Sequence, residues 1–476
     1  MTPGGAASVT ALGRRPARPA ADPGVGDRTA GPGGALGLLL GAVVLYLAFG
    51  KGFAYAGWPP VFVGEVLLVA VAVAAGRSTP VLPRHPAALV VALVGALAIV
   101  QAAVDRLHPA VPLVETVRGL APIYYAVYGF AAYSLLRSWE RRSGRATVVA
   151  GTERAVRRAA PWVLAAVLLL AVLLLVEPTS LPTWPGSGVP LLLTKSGDIA
   201  VTLALLGPVL LASDRTSGRR AAPSRWRTAL LAAWALTALL VSFRSRGALL
   251  ALLVGTIVAR PNAVRMAKVA LAGLTVVLAL YVSGLRVEVG GREISYGAVG
   301  DAVGSVLGGG PEDQIGSNYL DTTNWRADWW ASIWDDVRAE GMVLHGRGWG
   351  DNLAVRHGVT AAVAGEDPRA LRLPHDIFFS LVGRAGLVTA IGFLLVPVLT
   401  VARTFRRRGD AEPPPVVVQA ARGAVAAAVA TGLTDIYLES PQGGIVYWTL
   451  IGFLWWAVAA PLPAPPPPPQ PPVAPA

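Results

Sequence analysis

The chain has 476 residues, 54% of them hydrophobic and 14% charged, where soluble globular proteins carry about a quarter charged residues. With a mean hydropathy of +0.55, this excludes a soluble domain, and the 53 Gly and 39 Pro without a period exclude a collagen-like or disordered chain. The absence of cysteine removes disulfides, thiolate metal sites and a cysteine nucleophile.

The polar first 33 residues predict a disordered cytoplasmic segment, with no removable signal peptide. A transmembrane helix needs about 20 predominantly apolar residues. Twelve runs approach that size, centred on 34–50, 60–76, 87–104, 120–136, 160–177, 197–213, 228–243, 247–260, 268–285, 377–401, 416–434 and 444–460. The expected fold is therefore an all-α integral membrane protein. It has about twelve transmembrane helices, nine within 34–285 and three within 375–460, around one long extracytoplasmic loop, 286–374. The run around Arg244 to Gly247 also reads as one long broken span, and the run 377–401 carries Arg384. The segment 461–476 is Pro-rich and reads as an extended cytoplasmic tail.

The net charge of +13 suits nucleic-acid binding only until its distribution is seen. Lys and Arg accumulate on the cytoplasmic side of spans. With the N-terminus inside, the inner segments hold 25 basic residues and the short outer connections six: Lys51, Arg106, Arg118, Lys195, Arg244 and Arg246. Both chain ends then fall in the cytoplasm, the charge reads as a membrane-orientation signal, and no nucleic-acid partner is expected. The long outer loop has 8 Arg against 13 Asp and Glu, and long loops commonly hold function.

Ionisable residues within or beside spans are costly and tend to be functional. On the outer side these are Arg118 in VETVRGLAP, Lys195 and Asp198 in LLTKSGDIAVTLA, and Arg244 and Arg246 in VSFRSRGALLALLVG. The loop adds HGRGWGDN, followed by LPHDIFFSLVGRAGL. A single basic residue at a span end ordinarily snorkels to the interface; several gathered on the side that disfavours arginine weaken that explanation. In NWRADWWASIWDDVRAE, Trp325, Trp329, Trp330, Ile333, Trp334 and Val337 share one helical face, as in a helix lying in the outer interface. Thr322 or Thr323 is the expected cap, which puts Arg326 in the first turn, either poised for a phosphate or simply solvated. His375, after Pro374 at the membrane boundary, is a plausible general base. His85 and His108, each beside a proline in a short loop, read as incidental. His345 and His357 with Asp351, Glu366 and Asp367 lack the ligand spacing of a metal site. No metal or cofactor is expected, and neither a dinucleotide fingerprint nor a P-loop is present.

The SRGALLALLVG span, a loop with an Arg-bearing Trp helix, GRGWG and a Pro-His start to the next span resemble, in that order, the O-antigen ligase and polysaccharide polymerase family over roughly 195–455. These are multi-span glycosyltransferases with a GT-C-like fold. The resemblance implies metal-independent transfer of a glycan from an undecaprenyl-diphosphate carrier to an acceptor hydroxyl, of a glycan or lipid, at the outer face of the cytoplasmic membrane. It also implies that Arg246 and Arg326 hold the diphosphate, that Gly346 and Gly348 form the Gly-x-Gly turn, and that His375 activates the acceptor or orients the diphosphate. Arg118, Arg244, Lys195 and Asp198 join the expected substrate-binding set; the stretch Lys195 to Asp198 resembles a segment that often reads Gly-x-x-Asn. Where the family often has Asn after the loop-exit His, this chain has Asp376, which either fixes the His375 tautomer or marks altered chemistry. Cell-wall glycan polymerases share the carrier chemistry but lean on an outer-loop carboxylate. Twelve spans with both ends inside also suit a secondary transporter or lipid-linked-glycan flippase, though those show paired halves. A polytopic scaffold without chemistry is the remaining alternative.

Reporter fusions at Ser143, Ser217 and beyond Pro461 are expected to read cytoplasmic, and those at Ser187 and Gly310 to read outside. An outside signal at Ser217 would overturn the orientation.

Overall fold

A computed structural model describes residues 33–59, 61–78, 82–107, 112–176, 181–212, 225–260, 282–283, 287–289, 292–294, 314–359, 373–406 and 414–462. Among them, helices α1 (Gly34–Ala54), α2 (Val63–Arg77), α3 (Pro86–Asp105), α4 (Leu113–Gly119), α5 (Ala121–Tyr124), α6 (Ala126–Ser143) and α7 (Arg145–Val176) precede α8 (Ser196–Leu211), α9 (Arg225–Arg244) and α10 (Arg246–Ala259). Then come α11 (Gln314–Ala339), α12 (Leu353–Arg356), α13 (Ile377–Arg406), α14 (Val416–Gly432), a 3-10 turn Tyr437–Glu439 and α15 (Pro441–Val458). The strands described form two antiparallel hairpins. β1 (Gly57–Trp58) pairs with β2 (Val61–Phe62), Gly57 opposite Phe62; β3 (Val287–Val289) pairs with β4 (Arg292–Ile294), Val287 opposite Ile294.

Apart from these two short hairpins, the described residues are mainly helical, and most of the helices are apolar. Each predicted run coincides with a helix except 268–285, nearly all of which lies outside the described residues, as do His108, Glu366 and Asp367. α1, α3, α7, α9 and α13 are long and apolar enough to cross a membrane, and α4 with 121–143, bent by 54°, makes a sixth. α8, α10 and α14 are apolar but shorter. The 16 residues of α8 span about 24 Å, less than the roughly 30 Å of hydrocarbon. All of them are buried, because α10 and α14 enclose α8. A helix wrapped in protein has no lipid thickness to match.

Small residues bring these helices together. A Cβ on Gly255 of α10 would lie 2.9 Å from the Gly423 carbonyl of α14, and one on Gly452 of α15 would lie 2.1 Å from the Gly129 carbonyl of α6. Without a hydrophobic force between helices in lipid, such backbone approach supplies the packing.

The far end of α15 is tied down by charge. Glu140, 2% exposed, accepts from Arg137 Nη1 at 2.8 Å, Trp456 Nε1 at 2.8 Å and the Leu462 amide at 3.3 Å. Arg145 donates to the carbonyls of Trp456, Ala457 and Ala459, and Arg137 to that of Ala460. These carbonyls belong to the last turn and its exit, where a helix leaves acceptors over; Trp456 O also takes the Ala459 amide at 3.1 Å.

α13 is broken at Gly386, where φ is 80° and ψ 171°. The HGRGWG segment repairs the break. Arg347 N donates to the Gly383 carbonyl at 3.0 Å, Gly348 N to that of Arg384 at 2.8 Å, and Leu387 N to that of Val343 at 2.8 Å. Gly346 and Gly348 have φ of +68° and +115°. A Cβ at Gly346 would meet the Arg384 backbone at 2.3 Å, and one at Gly348 the Asp105 carboxylate at 2.5 Å. Trp349 completes the clamp on α3, its amide 2.6 Å from Asp105 Oδ2 and its Nε1 3.1 Å from the Ala98 carbonyl.

Gly452→Leu is expected to force α6 and α15 apart, an overpacking cost of about 1–3 kcal/mol or more, seen as a lower melting temperature and lost monodisperse protein. Gly37→Ala, whose Cβ meets nothing within 4 Å, should match the parent. Equal behaviour of the two variants would contradict the helix contact.

Candidate functional site

The eight residues Leu433 to Ser440 join α14 to α15 through the 3-10 turn, and four distant segments converge on them. Lys195 occupies the N-cap position of α8 in an extended conformation. Its amide donates to Asp198 Oδ2 at 3.2 Å, which fixes the first turn, while its ammonium lies 2.8 Å from Asp435 Oδ1. His375 Nδ1 lies 3.2 Å from the same oxygen. Asp435 also receives the Ile436 amide at 2.7 Å. Burial alone would push the Asp435 carboxyl up, but the His375 contact and the Lys195 charge outweigh it and hold the group well below the usual carboxylate range.

Arg326 reaches the turn from α11, its Nη1 donating to the Thr434 carbonyl at 2.9 Å. The SRG motif reaches it from the α9–α10 junction. Arg244 ends α9, and Ser245 caps α10 by accepting from the Ala248 amide at 3.3 Å. Arg246 opens α10, and a Cβ on the adjacent Gly247 would sit 2.8 Å from Thr434 Oγ1. Lys195, Asp198, Arg246, Arg326 and His375 thus lie around one turn.

α11 begins at Gln314, well before the threonines expected to cap it, so Arg326 is in mid-helix. Its position owes nothing to a helix N-terminus. The apolar face is as predicted: Trp329, Ile333 and Val337 are buried, with Trp325 and Trp334 partly so. Trp325 presents its ring edge-on to His375 at 6.2 Å, and Arg326 lies 5.4 Å from the same indole. Trp330 stacks on Phe379 at 5.3 Å and donates to the Pro374 carbonyl at 2.8 Å. His375 is 4% exposed with φ of +55°. A left-handed conformation in a residue other than glycine is a local strain that its surroundings must hold, and here the Trp helix and Asp435 hold it.

Asp376 turns away from His375. Its Oδ1 accepts the Phe378 and Phe379 amides at 2.7 and 3.1 Å, the N-cap arrangement at the start of α13. Burial pushes its carboxyl up to about 6 against the pull of those amides. Arg118 lies in α4, half exposed and 3.5 Å from Glu115, and is not among the residues gathered around the Thr434–Asp435 turn. Gly346 and Gly348 serve the α13 break. His85 caps α3 by accepting the Ala87 amide at 3.1 Å.

Sequence reasoning passed over Asp435 and Glu439. Glu439 accepts from Ser380 Oγ, and Arg384 Nη1 lies 3.8 Å from it, so the arginine within α13 is answered by a buried carboxylate. Both acids stand in TDIYLES, the polar gap between the last two apolar runs. That was the available signal.

Asp376→Ala should cost about 0.5–2 kcal/mol through the lost cap. Because the folded carboxyl is raised above its unfolded value of about 3.9, its stabilisation is complete below that pH and lost as pH rises through about 6. Asp376→Asn, which keeps the acceptor, should therefore gain melting temperature over the parent at pH 8 relative to pH 4.5. A difference independent of pH would contradict the buried carboxyl.

No protein-family model matches the chain, and no curated protein matches it either, so its function rests on the geometry of this cluster.

Proposed function

We propose that the protein is a membrane glycosyltransferase of the O-antigen ligase and polymerase type. In this reading twelve spans place both termini in the cytoplasm and the Asp435 cluster at the outer face. A glycan passes there from an undecaprenyl-diphosphate carrier to an acceptor hydroxyl in surface polysaccharide synthesis. The observation that carries it is the convergence of Lys195, Arg326 and the Arg246 helix start on the Thr434–Asp435 turn beside His375.

The chemistry requires that grouping. As the glycosyl bond breaks, negative charge develops on the diphosphate, and preorganised cations in a partly desolvated site stabilise it. Planar guanidinium groups bind phosphate oxygens in pairs, which lysine cannot do. Asp435 keeps the Lys195 ammonium in place and takes the Nδ1 side of His375, leaving Nε2 to accept the proton of the attacking hydroxyl. Trp325 meets the His375 ring edge-on, with Trp329 and Arg326 against the same indole.

Arg246→Ala and Arg326→Ala are each expected to lower transfer from an undecaprenyl-diphosphate-linked oligosaccharide by roughly 30-fold to 1,000-fold, about 2–4 kcal/mol, with normal insertion and poor rescue by lysine. His375→Ala should lower the rate about 100-fold or more while carrier binding survives. Full activity in both arginine variants would remove the diphosphate assignment. Unchanged transfer in His375→Ala would remove the histidine from the chemistry.

A further inference from the structure

A second site stands apart from the Asp435 cluster. A cavity of about 320 Å³ lies between α1, α6, α7, α8, α14 and α15, at the lower end of the 300–1,000 Å³ range of small-molecule pockets. Its walls are carbon almost throughout: Leu36, Val43 and Leu47 of α1, Val163 of α7, Leu206 of α8 and Phe453 of α15. It opens sideways, since Gly41 and Ala155, on facing helices of its wall, are both exposed.

The rim of this cavity is basic. Thr152, Ala155, Val156 and Ala159 line it from α7, and Arg154, Arg157 and Arg158 are exposed on the same turns. At the helical angle of about 100° per residue, Arg158 and Arg154 lie on one side of the Ala155 edge, on the exposed face of α7 beside the opening. Arg142 stands at the start of α1, where a Cβ on Gly33 would lie 3.3 Å from its Nη2. This is the Glu140 end of the helices. Along α8 the cavity reaches Leu205 and Leu206, about 15 Å from the Ser196 end that carries the Lys195 contact. A lipid with its anionic head at the Asp435 cluster cannot also place that head at these arginines.

We propose that this cavity is a binding site for an acyl chain of an anionic phospholipid whose headgroup phosphate is held by Arg154 and Arg158. An apolar slot opening laterally into hydrocarbon admits an alkyl chain without desolvating any polar group, and basic residues at its mouth select the negative headgroup. The site is independent of the transfer reaction.

The full-length protein, purified in detergent, is incubated with phosphatidylglycerol or phosphatidylcholine of identical chains, and retained lipid is counted by native mass spectrometry alongside the melting temperature. The parent should retain phosphatidylglycerol about tenfold or more in preference, in line with two arginines acting on one anionic headgroup, and melt higher with it. Gly41→Phe, a position whose Cβ meets nothing within 4 Å, fills the cavity and should retain neither lipid. Ala155→Leu repeats that test from the opposite wall should the first variant fold poorly. Arg154→Gln with Arg158→Gln should retain both lipids equally. Equal retention of the two lipids by the parent, undiminished retention in the filled variants, or displacement of phosphatidylglycerol by undecaprenyl phosphate at equal concentration would each overturn the proposal.

Discussion

A backbone amide or carbonyl without a partner costs several kcal/mol in an apolar surrounding, and α13 is broken within a buried stretch. The groups orphaned at Gly386 are satisfied by Val343, Arg347 and Gly348. This pins the loop segment against α13 and α3 and leaves it one position. Arg347 then pairs with Asp336 and Glu340 near the end of α11, and Trp329 and Ile333 pack with Leu353 of α12. The helix is held along its second half. Trp325 and Arg326, further back on α11, are thereby delivered to His375 and the Thr434 carbonyl. The glycines of HGRGWG act at a distance from the Asp435 cluster, through the backbone.

The connection between α14 and α15 has a complementary role. Asp435 faces two basic side chains, Lys195 and His375, and Glu439 faces Arg384. Arg326 meets the same turn through the Thr434 carbonyl. The acids of this connection hold the basic side chains of distant segments together.

The helices were legible because apolar runs in a membrane protein are long and bounded by arginine, and one face of α11 was visible in its tryptophan spacing. His375 was legible through Pro374 and its position at a boundary. The start of α11 was misread: Thr322 and Thr323 have the chemistry of a cap but lie inside a helix that begins at Gln314, because a capping residue is a local preference that tertiary context overrides. Neither reading of Asp376, as a partner of His375 or as a mark of altered chemistry, included its cap, yet an aspartate directly before a helix answers first to the amides of that helix. Asp435 was invisible as the partner of Lys195 and His375, since 240 residues separate it from the lysine and nothing in local periodicity reports such a pairing.

The Glu140 staple carries a consequence for biosynthesis. Its donors Trp456 and Leu462, and the carbonyls that Arg137 and Arg145 hold, all lie more than 300 residues downstream. At about 5–20 residues per second, the ribosome needs roughly 15–60 s to reach them after α6 has left the exit tunnel. Through that interval a carboxylate and two arginines wait at the membrane boundary with only one another and water. The last helix is therefore the one that closes the bundle, and a nascent chain cut short before Trp456 presents an unsealed charged end to the quality-control machinery of the membrane.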